Sequence, residues 1–218
     1  MCGIVGICGE QEKSWILEMN ASQIHRGPDE DGVFRHEEAL FSMASRRLAI
    51  IDLAEGQQPM TTQDGRYSIV FNGEIYNAGE LREKLVKKGI EFQTDHSDTE
   101  VVLQLFALDK EKALGALNGM FAFVIYDKQE KLLFLARDHM GIKPLYYVQV
   151  GERFAFASEL KSLLTLPFIK RELNPQSFFH SMSLMYVPGE ETILRGIKRL
   201  PAGHALKFSL KEKKLEVY

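Results

Sequence analysis

The residues most able to do chemistry stand at the start of the chain, in Met1-Cys2-Gly3-Ile4. Initiator methionine is commonly removed when a small residue follows, and Cys2 is small. Removal leaves a thiol and a free α-amine on one carbon. Their reference pKa values are about 8.5 and 7.7–8.0. Near neutral pH the amine can therefore take the thiol proton and later return it to a leaving group, with no histidine required. A second pattern is Asn72-Gly73, where a glycine N–H and an asparagine amide could converge on one point as an oxyanion hole. Taken alone, Asn-Gly is more often a two-residue hairpin turn. Arg47, between small residues and Leu48-Ala49-Ile50-Ile51, could clamp a carboxylate through two parallel hydrogen bonds. Asp98, at a predicted helix start, could hold an ammonium group. Taken singly, Arg47 reads better as a solvated arginine and Asp98 as an acid favoured by the helix dipole. Cys2 alone also fits a small buried strand residue. His25 and His96 have no nucleophile to serve and are read as structural.

The elements that must position these residues follow from periodicity and punctuation. Gly3 to Cys8 and Tyr67 to Asn72 are apolar, β-branched runs that predict buried strands. Residues 39 to 52 predict one or two strands interrupted at Ser45-Arg46-Arg47. Helices are predicted from Ser14 to Ile24, with Leu17, Ala21 and Ile24 on one face, from Asn77 to Gly89, and from Ser97 to about Leu108. Asn77 with Glu80 and Ser97 with Glu100 have capping-box spacing. Leu81, Leu85 and Val86 are expected to face inward. Met120 to Tyr126 with Leu132 to Ala136, and Tyr146 to Val150 with Phe154 to Ala157, read as hairpins. Asn174-Pro175 starts a helix over Gln176 to Leu184. Two strands close the chain, His204 to Ser209 and Lys214 to Tyr218. Sheets packed together with helices outside are the expected arrangement.

Composition excludes several classes. In 218 residues, 45% are hydrophobic and 26% charged, as in a globular protein with one sizeable core. A net charge of -3 without a basic tract gives no case for nucleic acid. Cys2 and Cys8 are too few for a disulfide framework or a zinc site. No signal peptide and no apolar run of membrane length is visible, and the expected location is the cytoplasm.

Seven segments together resemble the class II glutamine amidotransferase domain, whose members begin with a cysteine nucleophile. They are Cys2-Gly3-Ile4, His25 to Asp29, Arg47 to Asp52, Phe71 to Asn77, Ser97 to Glu100, Asn118 to Phe123 and Arg137 to Tyr147. They occur in family order over nearly the whole chain. Ala157 to Lys161, Tyr186 to Gly189 and Leu200 to Gly203 resemble the N-terminal glutaminase domain of asparagine synthetases in particular. The resemblance implies an α+β fold, a four-layer αββα sandwich of the N-terminal nucleophile type. It implies that Cys2 attacks the side-chain amide of L-glutamine while Asn72 and Gly73 hold the oxyanion. It further implies that Arg47 binds the substrate carboxylate, that Asp98 and Glu74 bind its ammonium, and that backbone around Ile50 and Ile51 lines the pocket. No metal or cofactor is expected in residues 1 to 218.

Asparagine synthetases continue into a domain that activates aspartate with ATP and magnesium through a Ser-Gly-Gly-x-Asp-Ser loop, and that motif does not occur here. The expectation is a single glutaminase domain, with about 170 to 218 leading toward a missing C-terminal synthetase domain. A homodimer is left open. Phe178, Phe179, Met182, Leu184, Met185 and Tyr186 form either a partner surface or a core helix. Two functions of different class stand: a glutaminase feeding ammonia to a synthetase, and a non-catalytic module that keeps the fold for docking.

Overall fold

The computed structural model describes residues 1–49 and 56–218. Its strands are β1 (Gly3–Cys8), β2 (Glu30–His36), β3 (Phe41–Arg47), β4 (Met60–Thr61), β5 (Tyr67–Ile75), β6 (Gly119–Asp127), β7 (Leu132–Arg137), β8 (Tyr146–Val150), β9 (Arg153–Ala157), β10 (Lys198–Arg199), β11 (Ala205–Ser209) and β12 (Lys214–Val217). Its α-helices are α1 (Lys13–Ala21), α2 (Ala78–Lys87), α3 (Asp98–Asp109), α4 (Leu160–Leu163) and α5 (Pro175–Leu184). One sheet has the order β10-β8-β9-β1-β3-β2 and the other β12-β11-β7-β6-β5-β4. All of the recorded pairings are antiparallel.

Three buried clusters show how the layers stack. One lies between the sheets and contains Ile4, Phe41, Met43, Val70, Val124, Tyr126, Phe154 and Phe208. Phe154 of β9 stacks on Phe208 of β11 at 4.4 Å, which links the two inner faces. A second cluster joins the outer face of the β5–β6–β7 sheet to α2 and α3, through Phe71, Leu81, Val102 and Phe106. The third joins the β1–β3–β9 sheet to α1 and α4, through Val5, Ile16, Met19, Ala155 and Leu163. This is the four-layer αββα sandwich expected from the sequence. Period-2 alternation explains how β5 serves two cores: Val70 faces the other sheet while Ile69 and Phe71 face the helices.

Several local expectations are corrected. Strand β3 runs without a break through Ser45-Arg46-Arg47, because β1 and β2 pair with it on both sides. Helix α1 buries Ile16, Met19 and Asn20 and leaves Leu17 and Ile24 exposed, so its inner face is one residue away from the predicted one. Val86 of α2 is likewise exposed. Neither capping box forms. Asn77 instead bridges loops, its Oδ1 accepting from Asn118 N at 3.0 Å and its Nδ2 donating to Ala116 O at 2.9 Å. Glu100 accepts from Gln93 N and Thr94 N, each at 2.8 Å. Both side chains instead satisfy loop backbone groups that have no partner in a helix or sheet ladder. Helix α5 starts as predicted, with Asn174 Oδ1 accepting from Ser177 N at 3.2 Å and Pro175 in the first turn. Residues 198–218 add β10 to one sheet and β11 and β12 to the other.

Candidate active site

Strand β1 puts Cys2 at the end of one sheet, beside the point where β5 of the other sheet passes. The backbone of β1 is held there from several directions. Ser158 Oγ accepts from Ile4 N at 3.0 Å, and Ser158 N donates to Ile4 O at 2.9 Å. Arg26 Nε donates to the Cys2 carbonyl at 2.9 Å while its Nη1 reaches Glu159 at 3.1 Å. His25 also pairs with Glu159, at 2.8 Å, and so supports this anchor from outside the cleft. Gly27 is required for the same turn: a Cβ would collide with the Arg46–Arg47 peptide. The Cys2 thiol is partly accessible and points toward Leu48 O, 3.9 Å away.

A cleft of about 170 Å³ opens at this junction, lined by Cys2, Arg47, Asn72, Gly73, Glu74, Asp98 and Lys143 among others. The structure thus brings together residues 2, 47, 72, 73, 74 and 98. Ile50 and Ile51 lie outside the described residues.

Asn72-Gly73 is no hairpin turn. It lies inside β5, which continues to Ile75 because β6 pairs with it along its whole length. The register decides what the two residues offer. In an antiparallel strand, successive N–H groups point to alternate sides. Phe71 N donates outward to Gln58 Oε1 at 2.7 Å, and Ile75 N donates outward to Asp98 Oδ2 at 3.1 Å. Phe121, opposite Gly73, has both its N and O turned to Asp138 on the far side of β6. The Gly73 N–H therefore points outward too, between two occupied neighbours, into the cleft. Gly73 has no room for a side chain, since a Cβ would strike Met120 O and lie 2.7 Å from Phe121 Cα. Asn72 is buried, and its Nδ2 has no hydrogen-bond partner among the described residues. A buried amide donor left unpaired costs about 1–3 kcal/mol, an arrangement tolerated where a ligand supplies the acceptor.

Arg47 is buried, not solvated as its residue type alone suggests, and Glu30 Oε2 accepts from its Nη1 at 2.7 Å. Asp98 is 7% exposed at the first turn of α3. Burial pushes its carboxyl up to about 6, against the backbone N–H bonds from Ile75 and Thr99, and Glu74 pushes the same way as burial. Glu74 forms no hydrogen bond or ion pair among the described residues. The α-amine at Met1 is held below its ordinary value, mainly by burial, with Arg26 and Lys143 adding to the effect and Cys2 and Asp29 opposing it. Cys8 is fully buried, and burial raises its thiol far above the ordinary range, so it is no competing nucleophile.

Sequence reasoning missed Gln58, Arg26 and Lys143. Gln58 ties the floor of the cleft together: its carbonyl accepts from Ser45 Oγ at 2.9 Å, and its Nε2 donates to Thr99 Oγ1 at 3.3 Å. A glutamine in a loop carries no local signal of such a role. Among the described residues no cluster of three metal-ligating side chains occurs, and no helix is long and apolar enough to cross a membrane.

A cysteine at the second position, an unpaired amide and a free strand N–H beside it make a defined combination, and the glutamine amidotransferase domain model matches residues 1–218. The chain belongs to the glutamine amidotransferase domain family. It is 43% identical over 210 residues to asparagine synthetase [glutamine-hydrolyzing] 1 of Bacillus subtilis, covering 93% of this chain and 33% of that protein. It is 37% identical to a putative asparagine synthetase 2 of Methanocaldococcus jannaschii, covering 100% of this chain and 46% of that protein. The chain thus spans about a third to a half of the length of these relatives. Among solved structures, it matches glutamine phosphoribosylpyrophosphate amidotransferase from B. subtilis with a TM-score of 0.71 at 20% identity, covering 100% of this chain and 49% of that one. The match to an allosteric regulatory enzyme of purine biosynthesis has a TM-score of 0.73 at 21% identity and covers 48% of that chain. At these identities the structural likeness concerns the fold, and it agrees with the N-terminal nucleophile architecture read from the sequence.

Proposed function

We propose that this amidotransferase domain hydrolyses free L-glutamine with Cys2 as nucleophile after Met1 is removed. The carrying observation is the pair of unpaired donors, Asn72 Nδ2 and Gly73 N, facing the cleft beside Cys2. The α-amine takes the thiol proton, and sulfur attacks the side-chain carbonyl carbon of glutamine. The oxygen becomes an oxyanion held by the two donors. Collapse breaks the C–N bond, and the proton from the ammonium goes to the leaving nitrogen, which departs as ammonia. Water then attacks the thioester, with the amine as base, and releases glutamate and the thiol. Arg47, oriented by Glu30, binds the α-carboxylate, and Asp98 with Glu74 binds the α-ammonium. An arriving ammonium relieves the cost of ionising Asp98 in its buried position. Backbone around Ile50 and Ile51 is assigned to the pocket wall. These steps need no cofactor in this domain.

The ammonia is destined for a synthetase domain that activates aspartate with ATP and magnesium, beyond Tyr218, in the cytoplasm. The relatives' greater length and their names support this reading. Residues 170 to 218 lead toward that domain. On α5 and the turn after it, Phe179 is 66% exposed and Met185 88%, and Phe178, Met182 and Tyr186 are exposed with them. That apolar face is assigned to contact with the chain that follows Tyr218. The test uses the protein with the sequence that follows Tyr218. Cys2→Ala should abolish glutaminase activity and glutamine-dependent asparagine formation while free ammonia still supports synthesis, and Cys8→Ala should be nearly neutral. Retained glutaminase activity in Cys2→Ala would remove the nucleophile assignment. Loss of ammonia-dependent synthesis along with it would remove the division of labour between domains.

A further inference from the structure

Lys143 is 5% exposed and lines the same cleft as Cys2, Asn72 and Gly73. A lysine this buried ordinarily has an anionic partner. Among the described residues its Nζ has none: it forms no ion pair with Glu74 or Asp98, although both line the cleft, and no carbonyl accepts from it. Its position is nevertheless built with care. Asp138 is fully buried, and its Oδ2 accepts from Lys143 N at 3.0 Å and from Phe121 N at 3.2 Å. One carboxylate oxygen therefore fixes Lys143 beside the segment of β6 that lies opposite Gly73. Asp138 Oδ1 shapes the same turn by accepting from Met140 N at 3.1 Å and Ile142 N at 2.9 Å. Arg137 completes it, donating to the Lys143, Gly141 and Leu200 carbonyls at 2.7, 2.6 and 2.7 Å.

We infer that the Lys143 ammonium is a fixed positive charge at the reacting end of the pocket, where it stabilises the successive anions of the reaction: the Cys2 thiolate, the oxyanion and the new side-chain carboxylate of glutamate. The inference rests on Cys2 being the nucleophile. The other charges around Cys2 are arranged differently. Arg26 engages Glu159 and the Cys2 carbonyl, Arg47 is engaged by Glu30, and Asp29 accepts from Ala49 N. Glu74 and Asp98, the acids of the cleft, stand on β5 and at the start of α3. Among the described residues, Lys143 alone of these cations has no acceptor. Lys143 is thus a positioning residue for charge and takes no proton itself.

The decisive measurement is the rate of Cys2 alkylation by iodoacetamide at one fixed pH, followed on the N-terminal peptide by mass spectrometry in the Met1-processed protein. Cys8 is buried and does not interfere. Removing the only unengaged cation among the described residues of the cleft should slow alkylation, so Lys143→Met should label more slowly than wild type at the same pH. Lys143→Arg should stay near wild type. Inhibition by glutamate should weaken in Lys143→Met more than glutamine KM changes. Circular dichroism checks the fold, and Lys143→Gln replaces Lys143→Met if the latter does not fold. An unchanged labelling rate in a folded neutral variant overturns the inference. Because labelling needs no turnover, that result is separate from any failure of the glutaminase reading, which would show as an inactive wild type.

Discussion

Asp98→Asn should make the chain more stable while making it a poorer receptor for glutamine. The carboxyl is nearly inaccessible and its pKa lies at about 6, against an ordinary 3.8. Below about pH 4 it is protonated in both folded and unfolded chains and contributes nothing. Between these values the folded chain keeps a proton that the unfolded chain has lost, so stability falls as pH rises. Above about pH 6 the full cost applies, and the difference, at 1.36 kcal/mol per pH unit, is about 3 kcal/mol. Asparagine keeps an oxygen to accept from Ile75 N and removes the charge. Urea unfolding should therefore show the variant more stable by up to about 3 kcal/mol at pH 7.5, and equal to wild type near pH 4. Glutamine KM should rise on the order of 10–100-fold, the value of one charged hydrogen bond. A variant destabilised equally at every pH would refute the burial argument, and an unchanged KM would refute the role as ammonium receptor.

Asn72→Ala should lower kcat on the order of 10²–10³-fold with a smaller change in glutamine KM, since the amide acts mainly in the transition state; steady-state kinetics separate the two. Arg47→Lys keeps the charge but loses the planar fork that Glu30 orients, and should raise glutamine KM more than it lowers kcat. Phe208→Ala removes a fully buried ring stacked on Phe154 between the sheets, and should cost about 3–5 kcal/mol in chemical denaturation. A small loss there would mean that β11 is peripheral to the fold.

Residue type and order made much of the site legible. Cys2 stands out because processing would put a thiol and an amine on one carbon. The joint occurrence of seven segments narrowed Arg47, Asn72, Gly73, Glu74 and Asp98 to one family pattern. Apolar runs marked β1, β5 and both hairpins, because buried strands in a sandwich need continuous or alternating hydrophobic residues. Asn174-Pro175 marked the start of α5 because that cap is local.

Tertiary structure decided what depends on partners distant in the chain. Asn72-Gly73 reads locally as a turn, yet pairing with β6 holds it extended and turns the Gly73 N–H to the cleft. The predicted faces of α1 and α2 failed at Leu17 and Val86, because which stripe is buried depends on where the sheet lies, not on periodicity alone. Asn77 and Glu100 left their capping positions for loop amides that only folding brings near. Lys143 carries no local signal of burial in the sequence. Asp138, five residues earlier, buries it beside Phe121, and only that distant contact makes its charge part of the site.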